Sequence, residues 1–187
     1  MHIIAISGSL RADSSNTMLV RATAKLALAD MNITLYEGLG TLPHFSPDLD
    51  IANASPSVTS FRHQLHAADG ILLCTPEYAF GMPGVLKNAL DWTVSSGEFV
   101  NKPVLAMSAS PSYMGGEKAH ASLLLTLSAL SAYVLAGEPL IIPFIRKELD
   151  AHGNLIDLAT AQLLTTALHT LVQVIHEQHN DSEHEKQ

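Results

Sequence analysis

Ile3-Ile4-Ala5-Ile6-Ser7-Gly8-Ser9-Leu10-Arg11-Ala12-Asp13-Ser14-Ser15-Asn16 decides how the rest of the chain is read. Ile3 to Ile6 is a short β-branched run without polar alternation, the pattern of a strand buried on both faces, and Ser7–Gly8–Ser9 closes it. From Ser15 to Met31 the residues Met18, Leu19, Ala22, Leu26 and Ala29 fall on one helical face, so the chain opens with a strand–loop–helix unit. The small, polar loop lets the backbone wrap an anion and aim amides at it, and the helix adds its positive dipole end. Ser9, Ser14, Ser15 and Asn16 can donate side-chain hydrogen bonds, and Arg11 supplies the charge-assisted bond that a phosphate favours most. The plainer reading is a helix cap, with Ser14 or Ser15 as N-cap, which requires no arginine. Asp13 would repel a phosphate dianion and is expected to face solvent. The loop has neither the Gly-Lys-Ser/Thr ending of a P-loop nor a G-x-G-x-x-G, which disfavours a nucleoside triphosphatase and a Rossmann dehydrogenase.

Outward from this unit the alternation repeats. Ile33 to Tyr36 reads as a second strand, and Thr41 to Pro56, with Pro43 and Pro47, as a long loop. Phe61 to Ala68 is a short helix and Gly70 to Cys74 a third strand. A helix from Pro83 to about Val94 precedes a fourth strand, Val104 to Ser108. A helix over about Glu117 to Leu130 follows, then a fifth strand within Tyr133 to Ile142 and a last helix from Leu158 to about His176. The alternation predicts an α/β three-layer sandwich with a five-stranded parallel sheet and helices on both faces. Five strands suit the flavodoxin-like order 2-1-3-4-5, in which ligands sit beyond the strand carboxyl ends at the topological switch point. The loops after strands one, three and four are therefore expected to carry function. Residues 1–176 form one domain in this reading, and 177–187 a polar, frayed C-terminal tail.

The 187 residues fit one domain, and 47% hydrophobic residues allow a sizeable core. A formal net charge of −8 disfavours nucleic acid and anionic membrane surfaces, which want clustered Lys and Arg, so any bound phosphate must be held locally. Cys74 is the single cysteine, so an internal disulfide is impossible and a reducing compartment is natural. The start reaches Ser7–Gly8 too soon for a signal peptide, and no uninterrupted apolar run approaches the ~18 residues of a membrane span. A soluble, cytoplasmic protein is expected. Of the ten histidines, His63 and His66 lie three apart and His176, His179 and His184 cluster near the end. No Cys partners them and no His-Glu-x-x-His occurs, so no metal is expected.

After the third strand comes Thr75-Pro76-Glu77-Tyr78-Ala79-Phe80-Gly81-Met82-Pro83-Gly84-Val85-Leu86-Lys87-Asn88-Ala89-Leu90-Asp91-Trp92. Pro76, Gly81, Pro83 and Gly84 fix the backbone at four places, which suits a rigid shelf offering main-chain amides to a flat ring. Two motifs, Gly8-Ser9-Leu10-Arg11 with Ser14 and Asn16, and Pro-Glu-Tyr followed by Pro-Gly-x-Leu-Lys-Asn-x-x-Asp-Trp, resemble those of the NAD(P)H-dependent FMN reductases, a family that includes quinone, azo-dye and chromate reductases. The strand spacing extends the resemblance to about residue 175.

The resemblance implies that Ser9, Arg11, Ser14, Ser15 and Asn16 hold the FMN phosphate, while Pro76, Glu77, Tyr78 and Gly81 line the isoalloxazine ring. Ser110, Gly115 and Gly116 border the ring on another side. It also implies NADPH or NADH as co-substrate, ping-pong hydride transfer through FMN to a small electron acceptor (quinone, flavin, azo compound or metal oxyanion), and a homodimer or homotetramer. Each residue also has a plainer role. Glu77 is equally suited to a surface or subunit interface, Tyr78 to packing, and Lys87 with Asp91 to an exposed i,i+4 ion pair. Asn88 and Trp92 read as structural and Cys74 as an inert core thiol. The chain departs from the pattern in Thr93–Glu98, which lacks the arginine many relatives carry after Asp-Trp, and in Pro111–Met114 before the glycine pair. The alternative function is an FMN-binding electron carrier without nicotinamide turnover. A ligand-binding module that has lost flavin turnover ranks lower, and a hydrolase using Ser9 lower still, for want of a Gly-x-Ser-x-Gly elbow.

Overall fold

The computed structural model describes residues 1–50 and 54–184. Three central strands, β1 (His2–Ser7), β3 (Gly70–Thr75) and β4 (Pro103–Ala109), lie side by side and parallel, with β2 (Asn32–Tyr36) outside β1. With β5 (Tyr133–Val134) outside β4, the order β2-β1-β3-β4-β5 is the doubly wound arrangement expected from the alternation and the strand count. Its core follows from the two-residue period of a strand. Ile4, Ile6, Ile71, Leu73, Val104 and Ala106 turn to one face, under α2 (Pro56–Ala67), α3 (Gly84–Asp91) and α4 (Glu117–Ala129). Ile3, Ala5, Leu72, Cys74, Leu105 and Met107 turn to the other, under α1 (Ser15–Lys25) and α6 (Leu158–His184).

The fifth strand position departs from a single strand. Tyr133–Val134 (β5) pairs with Pro103–Val104, and Leu140–Ile142 (β6) pairs with Met107–Ala109. Between them the chain leaves the sheet, because Pro139 has no N–H to give a ladder and Gly137 takes φ +144°. A short α5 (Ile145–Glu148) follows.

Other boundaries also shift. α1 stops at Lys25, where Leu26 and Ala27 tighten onto Thr23 and Ala24. α2 begins earlier than expected, at Pro56, a residue suited to a first helical turn. A 3-10 turn at Leu39–Thr41 leads into the 41–56 loop, which contains a second at Pro47–Leu49, and residues 51–53 lie outside the described ones. α6 continues past His176 to His184, so the first part of the expected tail is helical. Gln173 Nε2 donates to Glu177 (2.8 Å), Gln178 Nε2 donates to the Asn101 carbonyl (3.0 Å), and His179 lies 3.5 Å from Asp69. Residues 158–181 are long and apolar enough by composition to cross a bilayer. Here that helix is amphipathic: Leu164, Leu168, Leu171 and Ile175 are buried on the sheet, while Gln162, Thr166, His169 and Gln173 face outward.

Candidate active site

Because β1, β3 and β4 are adjacent and end in register, the loops 8–14, 76–83 and 110–116 gather at one end of the sheet. Contact between the first two is close. The Gly8 amide donates to the Cys74 carbonyl (2.8 Å), and a Cβ on Gly8 would meet Leu86 Cδ2 at 2.9 Å and Pro76 Cδ at 3.3 Å.

In the first loop Ser14 is the N-cap of α1. Its backbone is extended (φ −79°, ψ 122°) and its Oγ accepts from the Thr17 amide at 3.3 Å. Ser15 is the first helical residue. Asn16 is buried and turned inward: its Nδ2 donates to the Ala109 carbonyl (3.1 Å) and its Oδ1 accepts from Cys74 Sγ (3.1 Å). It thereby ties the ends of β3 and β4 to the first turn of α1. Burial pushes the Cys74 thiol up, away from thiolate chemistry. Ser9 Oγ accepts from the Arg11 amide (3.3 Å), and the Arg11 and Asp13 side chains are exposed. The first-turn amides of Ser15 and Asn16 donate to no group among the described residues. They are two of the orphan donors with which a helix N-terminus receives an anion.

The second loop folds into a tight hairpin. Tyr78 and Gly81 exchange backbone hydrogen bonds in both directions (2.9 and 3.0 Å), and the two residues between them, Ala79 and Phe80, both lie at positive φ (49° and 61°). Both positive values mark a type I′ turn, for which Asn-Gly is the favoured pair. Ala79 and Phe80 carry Cβ atoms there, at a cost of about 1–2 kcal/mol each. The turn amides that find no partner among the described residues are those of Ala79 and Phe80; the amides of Tyr78 and Gly81 close the hairpin. The sequence pattern could not separate these pairs, because it contains no Asn-Gly signal.

Behind the hairpin, Glu77 Oε2 accepts from the amides of Lys118 (2.9 Å) and Ala119 (3.1 Å). Glu77 thus caps α4 from a distance, and its charge complements the helix dipole. The sequence carried one clue. α4 opens on Gly116, an N-cap without a side chain to satisfy these amides. Gly115 (φ +61°) and Gly116 (φ +87°) are both required by conformation, and a Cβ on Gly115 would lie 2.6 Å from Ile141 Cγ2 and 3.0 Å from the Pro143 nitrogen. Ser110 joins this third loop to the end of β6. Its amide donates to the Ile142 carbonyl (3.2 Å) and its carbonyl accepts from Ile145 (3.1 Å), while its Oγ lies 3.0 Å from Ser112 Oγ. Ser108 Oγ, at the end of β4 beneath Gly116, is buried without a partner among the described residues.

Two further residues were not read from the sequence. Arg146 of α5 shares a hollow of about 410 Å³ with Asp13 and Ser15 beside the first loop; it arrives through the interrupted fifth strand, which gave no local signal. Arg62 of α2 occupies the corner near Asp91–Trp92. Its Nε donates to the Trp92 carbonyl (2.8 Å) and its guanidinium pairs with Asp50 (2.7 Å). Asn88 and Trp92 anchor the Pro43–Phe45 segment: Asn88 Oδ1 accepts from the Phe45 amide (2.7 Å) and Trp92 Nε1 donates to the Pro43 carbonyl (2.8 Å). Lys87 and Asp91 form the i,i+4 pair.

Orphan amides and a free arginine on the first loop match a phosphate group. Unfilled turn amides and a side-chain-free glycine pair on the other two match a flat ring, so the residues present fit FMN. The family model described as NADPH-dependent FMN reductase matches residues 1–146. The chain belongs to the NADPH-dependent FMN reductase family. Within the family's relatives, it is 34% identical over 171 residues to an NAD(P)H-dependent FMN reductase of Pseudomonas aeruginosa, covering 90% of this chain and 92% of that one. It is 31% identical over 172 residues to a quinone reductase of Escherichia coli K12, again covering 90% and 92%. Among solved structures it is similar to FerB, a flavoenzyme NAD(P)H:(acceptor) oxidoreductase from Paracoccus denitrificans, with a TM-score of 0.85, 30% identity, and 94% and 97% of the two chains covered. As a member of this family the chain is a flavodoxin-like oxidoreductase that uses FMN and NAD(P)H.

Proposed function

We propose that this FMN reductase passes reducing equivalents from NADPH or NADH to quinones and related small acceptors, with FMN held across the three loops. One observation carries the assignment. The orphan amides of α1 and the unpaired turn amides of Ala79 and Phe80 stand on adjacent loops at one end of the sheet. The reading fits an NAD(P)H-driven reductase better than an electron carrier because the chain is similar over nine-tenths of its length to an NAD(P)H-dependent FMN reductase and to an NAD(P)H:(acceptor) oxidoreductase.

FMN, when bound, supplies the hydride-accepting and hydride-donating chemistry. The chain's residues bind and orient it. Arg11, the hydroxyls of Ser9 and Ser15 and the amides of Ser15 and Asn16 hold the phosphate. Ser14 and Asn16 shape that loop from behind, through the cap and the tie to Ala109 and Cys74. At the ring, the Ala79 and Phe80 amides donate, Pro76, Tyr78 and Gly81 keep the hairpin rigid, and Gly115 and Gly116 leave room beside Ser110. Preorganised amides of this kind stabilise negative charge without reorganising when it develops. Glu77 positions α4 and the glycine pair. Exposed Leu10, Phe80 and Tyr113, one from each loop, shield the ring from water.

A quinone acceptor is supported by the name of the Escherichia coli relative. We further place the protein in the cytoplasm, where a single buried thiol stays reduced, and infer a homodimer or homotetramer built on exposed Val94, Val100 and Leu125. The test is steady-state oxidation of NADPH and of NADH at several fixed 1,4-benzoquinone concentrations with FMN-loaded protein. Parallel double-reciprocal lines are expected. Converging lines, or no turnover with either nucleotide, contradict the proposal.

A further inference from the structure

The break in the fifth strand leaves a cavity that the flavin site does not use. Between Val104, paired with β5, and Met107, paired with β6, the edge of β4 has no strand beside it at Leu105 and Ala106. The connecting residues 136–139 arc outward and are exposed. The space left, about 580 Å³, lies between α4 and α6. Its volume falls in the range of small-molecule sites, roughly 300–1,000 Å³. Leu105 and Ala106 form one wall, Leu124 and His120 of α4 a second, and Leu163 and Ala167 of α6 a third.

His120 is the unusual residue here. It is only 5% exposed, it lines the cavity, and its Nδ1 has no hydrogen-bond partner among the described residues. Buried polar atoms are rarely left this way. A half-turn of the ring about χ2 would exchange Nδ1 with Cδ2 and so change the side on which Nδ1 lies. Burial holds the imidazole below its ordinary range, so at neutral pH it is uncharged, with one donor and one acceptor nitrogen. Among the described residues no Lys or Arg lines the cavity, and Glu138 is the one carboxylate there. With no cationic side chain and a carboxylate at Glu138, this lining selects against anions. An uncharged hydroxyl complements either tautomer of the ring, because it both donates and accepts.

We propose that the gap in the fifth strand is a second ligand site, for an uncharged hydroxyl-bearing apolar molecule that seats its apolar body against Leu105 and Ala106 and exchanges a hydrogen bond with His120. The site is next to the flavin loop, since the His120 amide donates to the Gly116 carbonyl at 2.9 Å.

The experiment uses the full chain loaded with FMN, 2-naphthol as probe and 2-methylnaphthalene as the isosteric control lacking the hydroxyl, followed by amide chemical shifts. Saturable shifts are expected at residues 135–140 and 159–170, with the control binding about fivefold more weakly for want of one hydrogen bond. Ala167→Trp and, at the rim, Ala159→Trp should abolish the shifts while leaving the bound-flavin spectrum unchanged; the pair guards against one variant failing to fold. His120→Phe should erase the preference for 2-naphthol. Shifts confined to residues 8–16, 76–82 and 110–116, or no saturable shift at 135–140, overturn the proposal. A preference that survives in His120→Phe overturns the assignment of the hydrogen bond.

Discussion

Glu77→Ala separates a positioning role for this carboxylate from direct contact with the flavin. The side chain satisfies two α4 amides, at 2.9 and 3.1 Å, in a helix whose own N-cap is Gly116. Removing a cap costs about 0.5–2 kcal/mol, and loss of a carboxylate at the positive helix end adds roughly 0.3–1 kcal/mol. Water compensates in part, because one amide is exposed and the other only partly buried. A net loss of about 1–2 kcal/mol follows, which for a chain of this size lowers Tm by about 2–8 °C. The glycine pair lies immediately before this turn. If the turn must be re-ordered when FMN binds, the same free energy weakens FMN affinity about 5- to 30-fold. Glu77→Gln keeps an acceptor but loses the charge, and should fall near the midpoint. The assays are thermal unfolding of the FMN-free protein and equilibrium titration of flavin fluorescence. Unchanged Tm and unchanged Kd in Glu77→Ala would refute the capping argument. Weakened FMN binding with an unchanged Tm would show that Glu77 touches the flavin instead.

Gly115→Ala combines a left-handed backbone with a Cβ placed 2.6 Å from Ile141. It should lower Tm by about 4–16 °C, from roughly 2–4 kcal/mol of strain, whereas Gly84→Ala, with nothing within 4 Å of the new Cβ, should be neutral or stabilising by calorimetry. Hydrogen bonds from Ser95 and then Arg62 hold the Asp50 carboxyl below the usual carboxylate range. Its folded pKa is therefore below the unfolded value of about 3.9, so its contribution is fully present above about pH 4 and is lost as pH falls through the folded pKa. Urea midpoints should accordingly show Asp50→Asn less stable than the parent at pH 7 and the difference shrinking by pH 3. Cys74, buried and hydrogen-bonded to Asn16, should stay unlabelled by a disulfide-exchange reagent in the native protein and react fully in denaturant; rapid native labelling would contradict its place in the core.

The sheet was legible wherever strands are buried on both faces. The runs Ile3–Ile6, Gly70–Cys74 and Val104–Met107 are apolar without interruption, and each is followed by a Ser or Thr. The strand order followed from the alternation together with the count of five strands. The fifth strand was not legible as two pieces, because Tyr133–Ile142 reads as holding a single strand until Gly137, Glu138 and Pro139 are weighed as a detour out of the sheet. The end of α6 was missed because polar residues 177–184 lack apolar periodicity; tertiary ties to Asn101 and Asp69 hold that segment. At the site, the phosphate loop was visible as composition, but the division of labour within it was not. Ser14 and Ser15 are equivalent as sequence, and only backbone geometry makes Ser14 the cap. Asn16 looks like a surface donor until its partners, Ala109 and Cys74, arrive from 93 and 58 residues away. Glu77 belongs to the same class, its partners being 41 and 42 residues distant.

The most direct test is the visible spectrum of purified protein mixed with FMN and desalted, followed by anaerobic addition of NADPH and, separately, NADH. Retained flavin bands that bleach with at least one nucleotide are expected, and the faster nucleotide identifies the preferred donor. Retained bands that bleach with neither would contradict nicotinamide-driven reduction and favour an electron carrier, while a colourless protein would contradict the assignment of the three loops as an FMN site.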